Sequence, residues 1–387
     1  MNIVKVGIVG CGNISDIYFS NIALFNNIEV YACADIDVGR AEAKADAYGC
    51  KALTVDGMLA DPDVEVILNL TIPLAHYEVS MAALNAGKHV YSEKSLAVTL
   101  EDGEAIIALA KSKGLLVGCA PDTFLGSRPQ TMRKMIDDGW IGRPIAATGF
   151  MTCHGHEVWH PGPEFYYKKG AGPLYDMGPY YVTALIALLG PAKRVCGMEK
   201  ISFKERMITS QPLAGKMIDV EVPTHTAGTI EFVNGTIATL ITSFDIWDSN
   251  LPRLEIYGSE GTISMDEADP LAGPDIFEGV TKYRRRDKAD WNGFPTTIPR
   301  NEKTPWDGIP SCYDYATNSR GVGLADMARA IREGGRFRAN GDMAYHALEI
   351  MVGLSRSSES GQYYEVKSTC SLPELLPVDQ VEYMMGK

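Results

Sequence analysis

The sequence lacks three features that would place it in a special class. No apolar run in its 387 residues approaches the roughly 20 that a membrane-spanning helix needs. Basic residues are outnumbered, 36 Lys and Arg against 49 Asp and Glu, and a net charge of −13 repels phosphate backbones and anionic lipid surfaces. The N-terminal residues show no pattern of a secretion signal. We therefore predict a cytoplasmic protein that binds neither nucleic acid nor membrane.

The sequence also lacks paired cysteines. Its eight cysteines lie far apart, and no C-x-x-C occurs. A small secreted scaffold would space them closely, and a cysteine-bound zinc site would pair them. We predict free thiols, most of them buried as small hydrophobic side chains.

What the first 120 residues do contain is a regular alternation of apolar runs and helical patterns. The runs that predict strands buried on both faces are Ile3–Val9, Glu29–Ala34, Val64–Leu70, His89–Ser92 and Leu115–Cys119. The segments with helical length and spacing are Ile14–Asn26, Gly39–Tyr48, Ala75–Ala86 and Glu101–Lys113. This alternation predicts an α/β domain over residues 1–122, with a doubly wound parallel sheet of the Rossmann type.

A glycine motif at the first strand–helix junction predicts a dinucleotide site. Gly10 permits a tight turn, and Gly12 lets backbone N–H groups approach a pyrophosphate. Ser15 stands where the motif usually has a third glycine. Asp35, at the end of the second predicted strand, is placed to accept hydrogen bonds from an adenosine ribose and repels a 2′-phosphate. We predict NAD as cofactor, although the nearby Arg40 leaves NADP open.

Residues 123–387 predict a second domain. A linker and helix over Asp122–Asp138 precede four β-rich segments, and Asn234-Gly235 predicts a hairpin turn between two of them. The polar, Pro- and Gly-rich stretch Glu267–Trp306, with its basic run Lys282–Arg286, predicts a surface excursion. The β-rich segments are Ile145–Met151, Thr226–Val233, Thr236–Phe244 and Arg253–Gly258. Two further helices are predicted over Gly323–Glu333 and Asp342–Ser355.

An aromatic and histidine-rich segment follows the first of these strands. Within it, His156–His160 matches H-E-x-x-H, a zinc-protease motif that requires a helix. Pro161 disfavours helical geometry at His160, so we predict no metal site. Two interpretations remain open, a loop that binds a sugar-like substrate and a turn pinned by aromatic packing. The candidate substrate-binding residues are His154, His156, Trp159, His160 and Tyr167.

Two longer motifs resemble a known family. Thr71–His76 with Ala83–Ser95, and then Gly170–Tyr180, resemble the Gfo/Idh/MocA oxidoreductases, although Ser95 stands where the family has proline. The resemblance implies an N-terminal Rossmann domain and a C-terminal α/β domain on a large, mostly antiparallel sheet. It also implies hydride transfer with NAD(P) at a hydroxyl or carbonyl carbon of a sugar, cyclitol or related polyol. Association through the large sheet, as a homodimer or homotetramer, is implied as well.

The resemblance assigns roles to particular side chains. It implies that Lys94 lies beside the nicotinamide and the substrate. Many members have a catalytic histidine where this chain has Tyr180, and an acidic or amide residue where it has Thr183. An ammonium such as that of Lys94 would lower the pKa of a tyrosine, so Lys94 and Tyr180 form a coherent acid/base pair. Asp176, one helical turn before Tyr180, is expected to face the same cleft. The alternative is that Tyr180 is a buried tyrosine and Asp176 a helix cap.

The predicted function is therefore an NAD(P)-dependent dehydrogenase or reductase acting on CH–OH groups. Two alternatives stay open, a redox-neutral lyase or glycosidase that cycles bound NAD and a dinucleotide-binding sensor without catalysis. The predicted catalytic residues are Lys94, Tyr180 and Asp176, with Asp176 and Tyr180 also binding substrate. The predicted cofactor-binding residues are Gly10, Gly12, Asn13, Ile14, Asp35, Arg40, Thr71, Pro73, His76, Glu93 and Lys94.

Overall fold

The computed structural model describes residues 3–265, 276, 280–295, 320–377 and 384. Within these ranges the chain divides into two compact units, one formed by Met1–Leu125, Ser319–Leu348 and Leu376–Lys387 and the other by Gly126–Asn318 and Glu349–Leu375. Among the described helices, none combines the length and the hydropathy that a bilayer crossing requires.

The first unit is built on a parallel sheet that, in the described residues, has six strands in the order β3-β2-β1-β4-β5-β6. The central strands are almost wholly buried because their residues are apolar on both faces. The order reverses beside β1, which places the end of β1 at a topological switch point. The strands are β1 (Val4–Val9), β2 (Ile28–Ala34), β3 (Lys51–Ala52), β4 (Val66–Asn69), β5 (His89–Ser92) and β6 (Val117–Cys119).

Helices connect successive strands, and local sequence signals set their ends. Thr99-Leu100-Glu101-Asp102 is a sequence signal for a helix N-terminus, and the Thr99 side chain accepts a hydrogen bond from the Asp102 backbone N–H at 3.1 Å, which caps the fifth helix. That helix ends at Gly114, which has a positive φ of 66°. The helices are α1 (Ser15–Ile22), α2 (Val38–Tyr48), α3 (Val55–Ala60), α4 (His76–Asn85) and α5 (Leu100–Lys113). The short β3 and α3 are missing from the sequence prediction.

The second unit is built on a mixed sheet that has nine strands where the structure describes it. Their order is β16-β15-β14-β13-β7-β12-β11-β8-β17, and every neighbouring pair is antiparallel except β7 with β12. A separate pair, β9 and β10, forms a small antiparallel ribbon. The strands are β7 (Pro144–Thr152), β8 (Ala192–Lys200), β9 (Glu205–Met207), β10 (Met217–Asp219), β11 (His225–Phe232), β12 (Ile237–Ser243), β13 (Leu254–Gly258), β14 (Gly261–Met265), β15 (Val280–Arg285), β16 (Asn292–Pro295) and β17 (Tyr364–Glu365).

In the second unit, one helix precedes β7 and two lie between β7 and β8: α6 (Ser127–Asp137), α7 (Pro173–Asp176) and α8 (Gly178–Leu189), respectively. All twelve residues of α8 are buried, as its almost uninterrupted apolar sequence requires. The predicted Asn234-Gly235 turn joins β11 to β12, and Gly235 takes a positive φ of 87°.

The observed division of the chain differs from the predicted boundary at residue 122. The first junction lies close to it, but helix α9 (Val322–Glu333) and the first turns of α10 (Gly341–Ser360) belong to the unit of the parallel sheet. Side-chain amides and backbone groups far apart in sequence hold α9 there, for example Asn27 donating to the Ala325 carbonyl at 2.8 Å. Long-range pairing of this kind leaves no periodic signal in a single sequence.

The predicted surface excursion over 267–306 needs a second correction. Its described part contains β15 and β16, which extend the large sheet by pairing with β14 and with each other. The basic run therefore lies largely on a strand, where successive side chains point to opposite faces. The Tyr283 ring lies edge-on to the Trp140 ring with their centroids 5.1 Å apart, so β15 also packs against the segment that carries Trp140 in the same unit.

The seven cysteines that the structure describes are free thiols, four of them buried and three half-buried. This confirms the predicted pattern for those seven, and Cys312 lies outside the described residues.

Candidate functional site

The glycine turn after β1 is built for a close backbone approach. Gly10 has a φ of 103°, and a Cβ there would lie 2.6 Å from the Leu70 carbonyl oxygen, so a larger residue is excluded. At Gly12 a Cβ would meet no heavy atom within 4 Å, which leaves this backbone open to a ligand. Ser15, in place of the third glycine, is fully buried and donates its hydroxyl to the Gly12 carbonyl at 2.7 Å. Asn13 and Ile14 complete the turn before α1.

The carboxylate of Asp35 is held at the end of β2 by two backbone donors. The Cys11 N–H donates to Oδ2 at 2.7 Å, and the Asp37 N–H donates to Oδ1 at 2.9 Å. Arg40 lies on the exposed surface, with its Nε 3.4 Å from Asp37 Oδ2. The acid that the sequence analysis assigned to the ribose is therefore fixed directly beside the glycine turn, and the arginine is drawn toward another carboxylate.

The loop after β4 carries three predicted cofactor residues. Thr71 donates its hydroxyl to Asn69 Oδ1 at 2.7 Å, and Pro73 begins a short 3₁₀ turn. His76 is fully buried, with Nδ1 2.6 Å from the Ser95 carbonyl oxygen and Nε2 3.0 Å from the Thr71 carbonyl oxygen. Burial lowers the pKa of His76, and its two ring nitrogens join two backbone segments through their carbonyl groups. Its place in the structure is that of a positioning residue.

The segment after β5 carries Glu93 and Lys94. Glu93 is buried and accepts from the Tyr18 hydroxyl at Oε1, 2.8 Å away, and from the Lys94 backbone N–H at Oε2, 2.9 Å away. Lys94 itself is half-buried, and its peptide bond to Ser95 is cis. The Arg320 Nε lies 3.7 Å from Glu93 Oε1. Glu93 thus fixes the backbone from which the lysine side chain projects.

Asp122 is a buried acid of this unit that sequence reasoning missed. Its Oδ2 accepts from the backbone N–H groups of Gly321 and Gly323, both at 2.9 Å, so it caps α9 from about two hundred residues away. Burial raises the pKa of Asp122 to about 6. Neither Asp122 nor Arg320 belongs to a local motif, and only the fold brings them to the strand ends that also carry Glu93.

These residues fit a dinucleotide. The open backbone at Gly12 admits a pyrophosphate at the start of α1, and the fixed carboxylate of Asp35 is placed for ribose hydroxyls. Thr71, Pro73 and the Glu93–Lys94 segment follow the neighbouring strands at the same edge of the sheet. When bound, NAD supplies a nicotinamide ring that accepts or donates a hydride.

In the second unit, the structure brings together three of the predicted substrate residues. His156 Nε2 lies 3.0 Å from Asp176 Oδ2, and its Nδ1 lies 3.2 Å from the indole Nε1 of Trp159. Because an indole N–H only donates, Nδ1 accepts, and Nε2–H donates to the carboxylate. The side chains of His156 and Asp176 are largely buried, with 8% and 13% of their surfaces exposed. The ring edges of Trp159 and Tyr166 and the ring of Phe244 pack around the imidazole.

The glutamate of the H-E-x-x-H motif belongs to a buried ion network. Arg206, on β9, donates from Nε to Glu157 Oε1 and from Nη1 to Asp245 Oδ1, both at 2.7 Å. Its Nη2 donates to the His154 carbonyl at 3.1 Å. The Tyr167 hydroxyl donates to the other Glu157 oxygen, and burial strongly raises the pKa of Tyr167. Glu157 is therefore an anchor of the loop, and Tyr167 belongs to that anchor.

The other two predicted histidines lie nearer the surface of this unit. His154 stacks on Trp247, with ring centroids 3.3 Å apart, and Trp247 is 80% exposed. His160 Nδ1 accepts from the Gly162 N–H at 3.0 Å, and its ring contacts Phe165 edge-on. Burial lowers the pKa of both histidines. The exposed indole of Trp247 is a candidate sugar platform that the sequence analysis did not single out.

Asp176 and Tyr180 do not share one continuous helix, contrary to the predicted (i, i+4) spacing. The helical path is interrupted at Met177, which ends α7 and precedes α8, with φ −105° and ψ −24°. Tyr180 lies in the first turn of α8 and is only 4% exposed. The Thr183 hydroxyl donates to the Pro179 carbonyl at 2.7 Å, so it is occupied within the helix.

The parallel sheet with its glycine turn and ribose acid defines a dinucleotide-binding unit, here in a chain with a second unit on a large mixed sheet. The chain belongs to the Gfo/Idh/MocA family. Residues 4–120 match the model of the oxidoreductase family with an NAD-binding Rossmann fold, and residues 130–264 match the GFO/IDH/MocA C-terminal domain. Both matches confirm the family resemblance and the predicted fold class.

Named relatives share parts of this chain. A 1,5-anhydro-D-fructose reductase of Ensifer adhaerens is 37% identical over 233 residues, which are 58% of this chain and 64% of the relative. An inositol 2-dehydrogenase/D-chiro-inositol 3-dehydrogenase of Lactiplantibacillus plantarum is 37% identical over 37% of this chain and 43% of its own length. The chain thus aligns with about two fifths to two thirds of the length of these relatives. A crystal structure of an NAD-binding oxidoreductase from Klebsiella pneumoniae has the same fold, with a TM-score of 0.78 and 20% sequence identity. The match covers 95% of this chain and 100% of the chain in that structure.

Proposed function

We propose that this protein is an NAD-dependent oxidoreductase that transfers a hydride to or from a hydroxyl or carbonyl carbon of a sugar, cyclitol or related polyol. The observation that carries the proposal is the His156–Asp176 pair, a carboxylate oriented by an imidazole among aromatic rings, in a chain whose other unit matches the NAD-binding family. Carboxylates accept hydrogen bonds from hydroxyls, and aromatic faces pack on sugar C–H surfaces. The similar reductase and inositol dehydrogenase act on compounds of this class by name.

The roles of the side chains follow from their chemistry. Oxidation of a secondary alcohol requires a base for the hydroxyl proton, and reduction requires the corresponding acid. We assign this proton transfer to the Tyr180 hydroxyl, with Lys94 as the cationic residue of the pair. Asp176 binds a neighbouring substrate hydroxyl, while His156 holds its carboxylate in one orientation. Asp35 and the Gly10–Gly12 turn hold NAD, and His76 and Glu93 fix the backbone around Thr71 and Lys94.

The first test is turnover with purified protein, mixed with NAD and separately with NADP, across a panel of sugars and cyclitols. Nicotinamide absorbance that rises with one group of polyols supports the proposal. Cofactor binding without any absorbance change, but with substrate converted to product, indicates a redox-neutral lyase or glycosidase instead. Binding without conversion of any compound indicates a sensor.

The second test uses Tyr180→Phe with Tyr181→Phe as its matched control. Tyr181 is the adjacent, fully buried tyrosine of α8, so both changes remove one hydroxyl from the same helix. We expect Tyr180→Phe to lower kcat by roughly 10²–10⁴-fold, the usual contribution of a positioned acid or base. NADH affinity should stay nearly unchanged. Retention of most turnover in Tyr180→Phe removes this residue from the acid/base role.

We further propose that the protein is a homodimer or homotetramer associated through its large sheet, as the resemblance implies. Light scattering on the purified chain gives its mass directly, and a monomer at working concentration contradicts this assignment. A cytoplasmic location remains a prediction from the sequence.

A further inference from the structure

Three thiols converge beneath the dinucleotide turn. Cys11 lies between the two glycines of the turn, Cys33 lies on β2 just before Asp35, and Cys50 follows the end of α2. The sulfur atoms of Cys33 and Cys50 are 3.8 Å apart, which is van der Waals contact. The Cys11 sulfur lies 3.6 Å from the Ala34 carbonyl oxygen, between β1 and β2. Residues that are 17 and 22 positions apart in sequence thus share one small volume.

The members of this cluster differ in accessibility and in reactivity. Cys50 is half-buried, whereas Cys11 and Cys33 are 3% and 0% exposed, so an oxidant reaches Cys50 first. The neighbouring Cys33 thiol lowers the pKa of Cys50, whereas the Cys11 thiol and then the Cys50 thiol raise the pKa of Cys33. A thiolate is the nucleophilic form of cysteine. Half-buried Cys153 differs, because burial raises its pKa to about 11.

We propose that Cys33 and Cys50 form a reversible disulfide in the presence of a peroxide, and that this disulfide weakens NAD binding. The Cys50 sulfur attacks one peroxide oxygen, the O–O bond breaks, and the displaced hydroxide takes up the thiol proton as water. The Cys33 sulfur then attacks the resulting sulfenic acid, the S–O bond breaks, and a second water leaves with the Cys33 proton. Two thiols are oxidised and one peroxide is reduced to two waters.

The link to the cofactor site runs along β2. A disulfide brings the two sulfurs to about 2.05 Å, so the Cys33 side chain moves toward Cys50 and loses the thiol proton that it donates to the Ala41 carbonyl at 3.3 Å. Asp35 is two residues further along and holds the Cys11 N–H of the glycine turn at 2.7 Å. Displacement of the Asp35 carboxylate removes one hydrogen bond between this charged group and the ribose, and such a loss lowers the affinity for the dinucleotide roughly tenfold. We expect NADH to bind about that much more weakly after oxidation.

The test uses the full chain, a few equivalents of hydrogen peroxide, and two readouts. Alkylation of the remaining thiols under denaturing conditions, followed by peptide mapping, identifies the linked cysteines. NADH fluorescence titration gives the affinity before oxidation, after oxidation, and after reduction with dithiothreitol. Cys50→Ser removes the reactive thiol, and Cys196→Ser is the matched control, since Cys196 is also half-buried but lies on β8 of the other unit.

The expected result is a Cys33–Cys50 link in the parent and in Cys196→Ser, with weaker NADH binding that dithiothreitol restores. Cys50→Ser should bind NADH as the reduced parent does and should not respond to peroxide. A Cys11–Cys33 link, irreversible oxidation of Cys50 alone, or a Cys33–Cys50 link that leaves NADH affinity unchanged each overturns the proposal. Because NADH binding is measured without a substrate, failure of the proposed oxidoreductase activity would not affect this result.

Discussion

Arg206 offers the sharpest test of how the second unit holds its candidate substrate loop. Its guanidinium is the cation between two buried carboxylates, Glu157 and Asp245, and it also binds the His154 carbonyl. Arg206→Met keeps most of the side-chain volume and removes the charge and all three contacts. The change therefore asks whether this ion network fixes the loop or is incidental to it.

The expected loss of stability can be estimated from burial. The Glu157 and Asp245 side chains are only 5% and 9% exposed, and removing one partner of a buried ion pair costs about 3–5 kcal/mol. Tyr167 and Thr224 still donate to the two carboxylates, which favours the lower end, about 3 kcal/mol. At about 2–4 °C per kcal/mol, this corresponds to a fall in Tm of roughly 6–12 °C.

Thermal unfolding followed by tryptophan fluorescence measures the effect, since Trp159 and Trp247 lie beside the network. Arg194→Met is the matched control, because the ion pair of Arg194 with Glu231 in the same unit is much more open to solvent, with side chains 39% and 23% exposed, and its loss should change Tm little. A further variant that also carries Glu157→Gln and Asp245→Asn should recover part of the lost stability. If the Tm of Arg206→Met lies within about 2 °C of the Tm of the control, and not roughly 6–12 °C below it, the network does not hold the loop.

Three further predictions concern the first unit. Asp35→Ser should weaken NADH binding on the order of tenfold and NADPH binding much less, and fluorescence titrations that show an unchanged ratio would contradict the ribose assignment. His76→Phe removes the contacts to two backbone carbonyls and should lower the free energy of unfolding by about 1–3 kcal/mol, as measured by chemical denaturation. It should also raise KM for NAD, and a lower stability with unchanged KM would limit His76 to a structural role. Burial raises the pKa of Asp122 from 3.8 to about 6, so folding favours the neutral carboxyl. The stability that this group contributes is fully present below pH 4 and is lost as pH rises through 6, a total loss of at most about 3 kcal/mol. Asp122→Asn should therefore gain stability relative to the parent as pH rises from 4 to 7, and parallel pH profiles of the two proteins would refute the assignment.

Local and periodic signals account for what could be predicted from the sequence. The apolar runs predicted five of the six described strands of the parallel sheet, and β5 has the predicted bounds His89–Ser92. Caps such as Thr99 and turns such as Asn234-Gly235 lie where their chemistry predicts, because they depend on a few adjacent residues. β3 was missed because a two-residue strand has too little length for a periodic pattern.

The candidate site divides in the same way. The glycine turn and Asp35 were predictable because a tight turn and a ribose acceptor impose residue types at fixed positions along one strand–helix–strand segment. The same sequence left two interpretations open for the segment around His156, and the match to H-E-x-x-H gave no information about what Glu157 contacts. In the structure its carboxylate binds Arg206, 49 residues away.

The sequence by itself determined the class of fold, the place of the dinucleotide turn and the family, because each depends on patterns that stay close together along the chain. Only the tertiary structure decided that His156 orients Asp176, that Asp122 caps a helix about two hundred residues later, and that Cys33 touches Cys50. These contacts join side chains on separate elements, and their geometry is fixed by how sheets and helices pack. Packing of that kind is a property of the whole fold and leaves no periodic trace in the residues that make the contact.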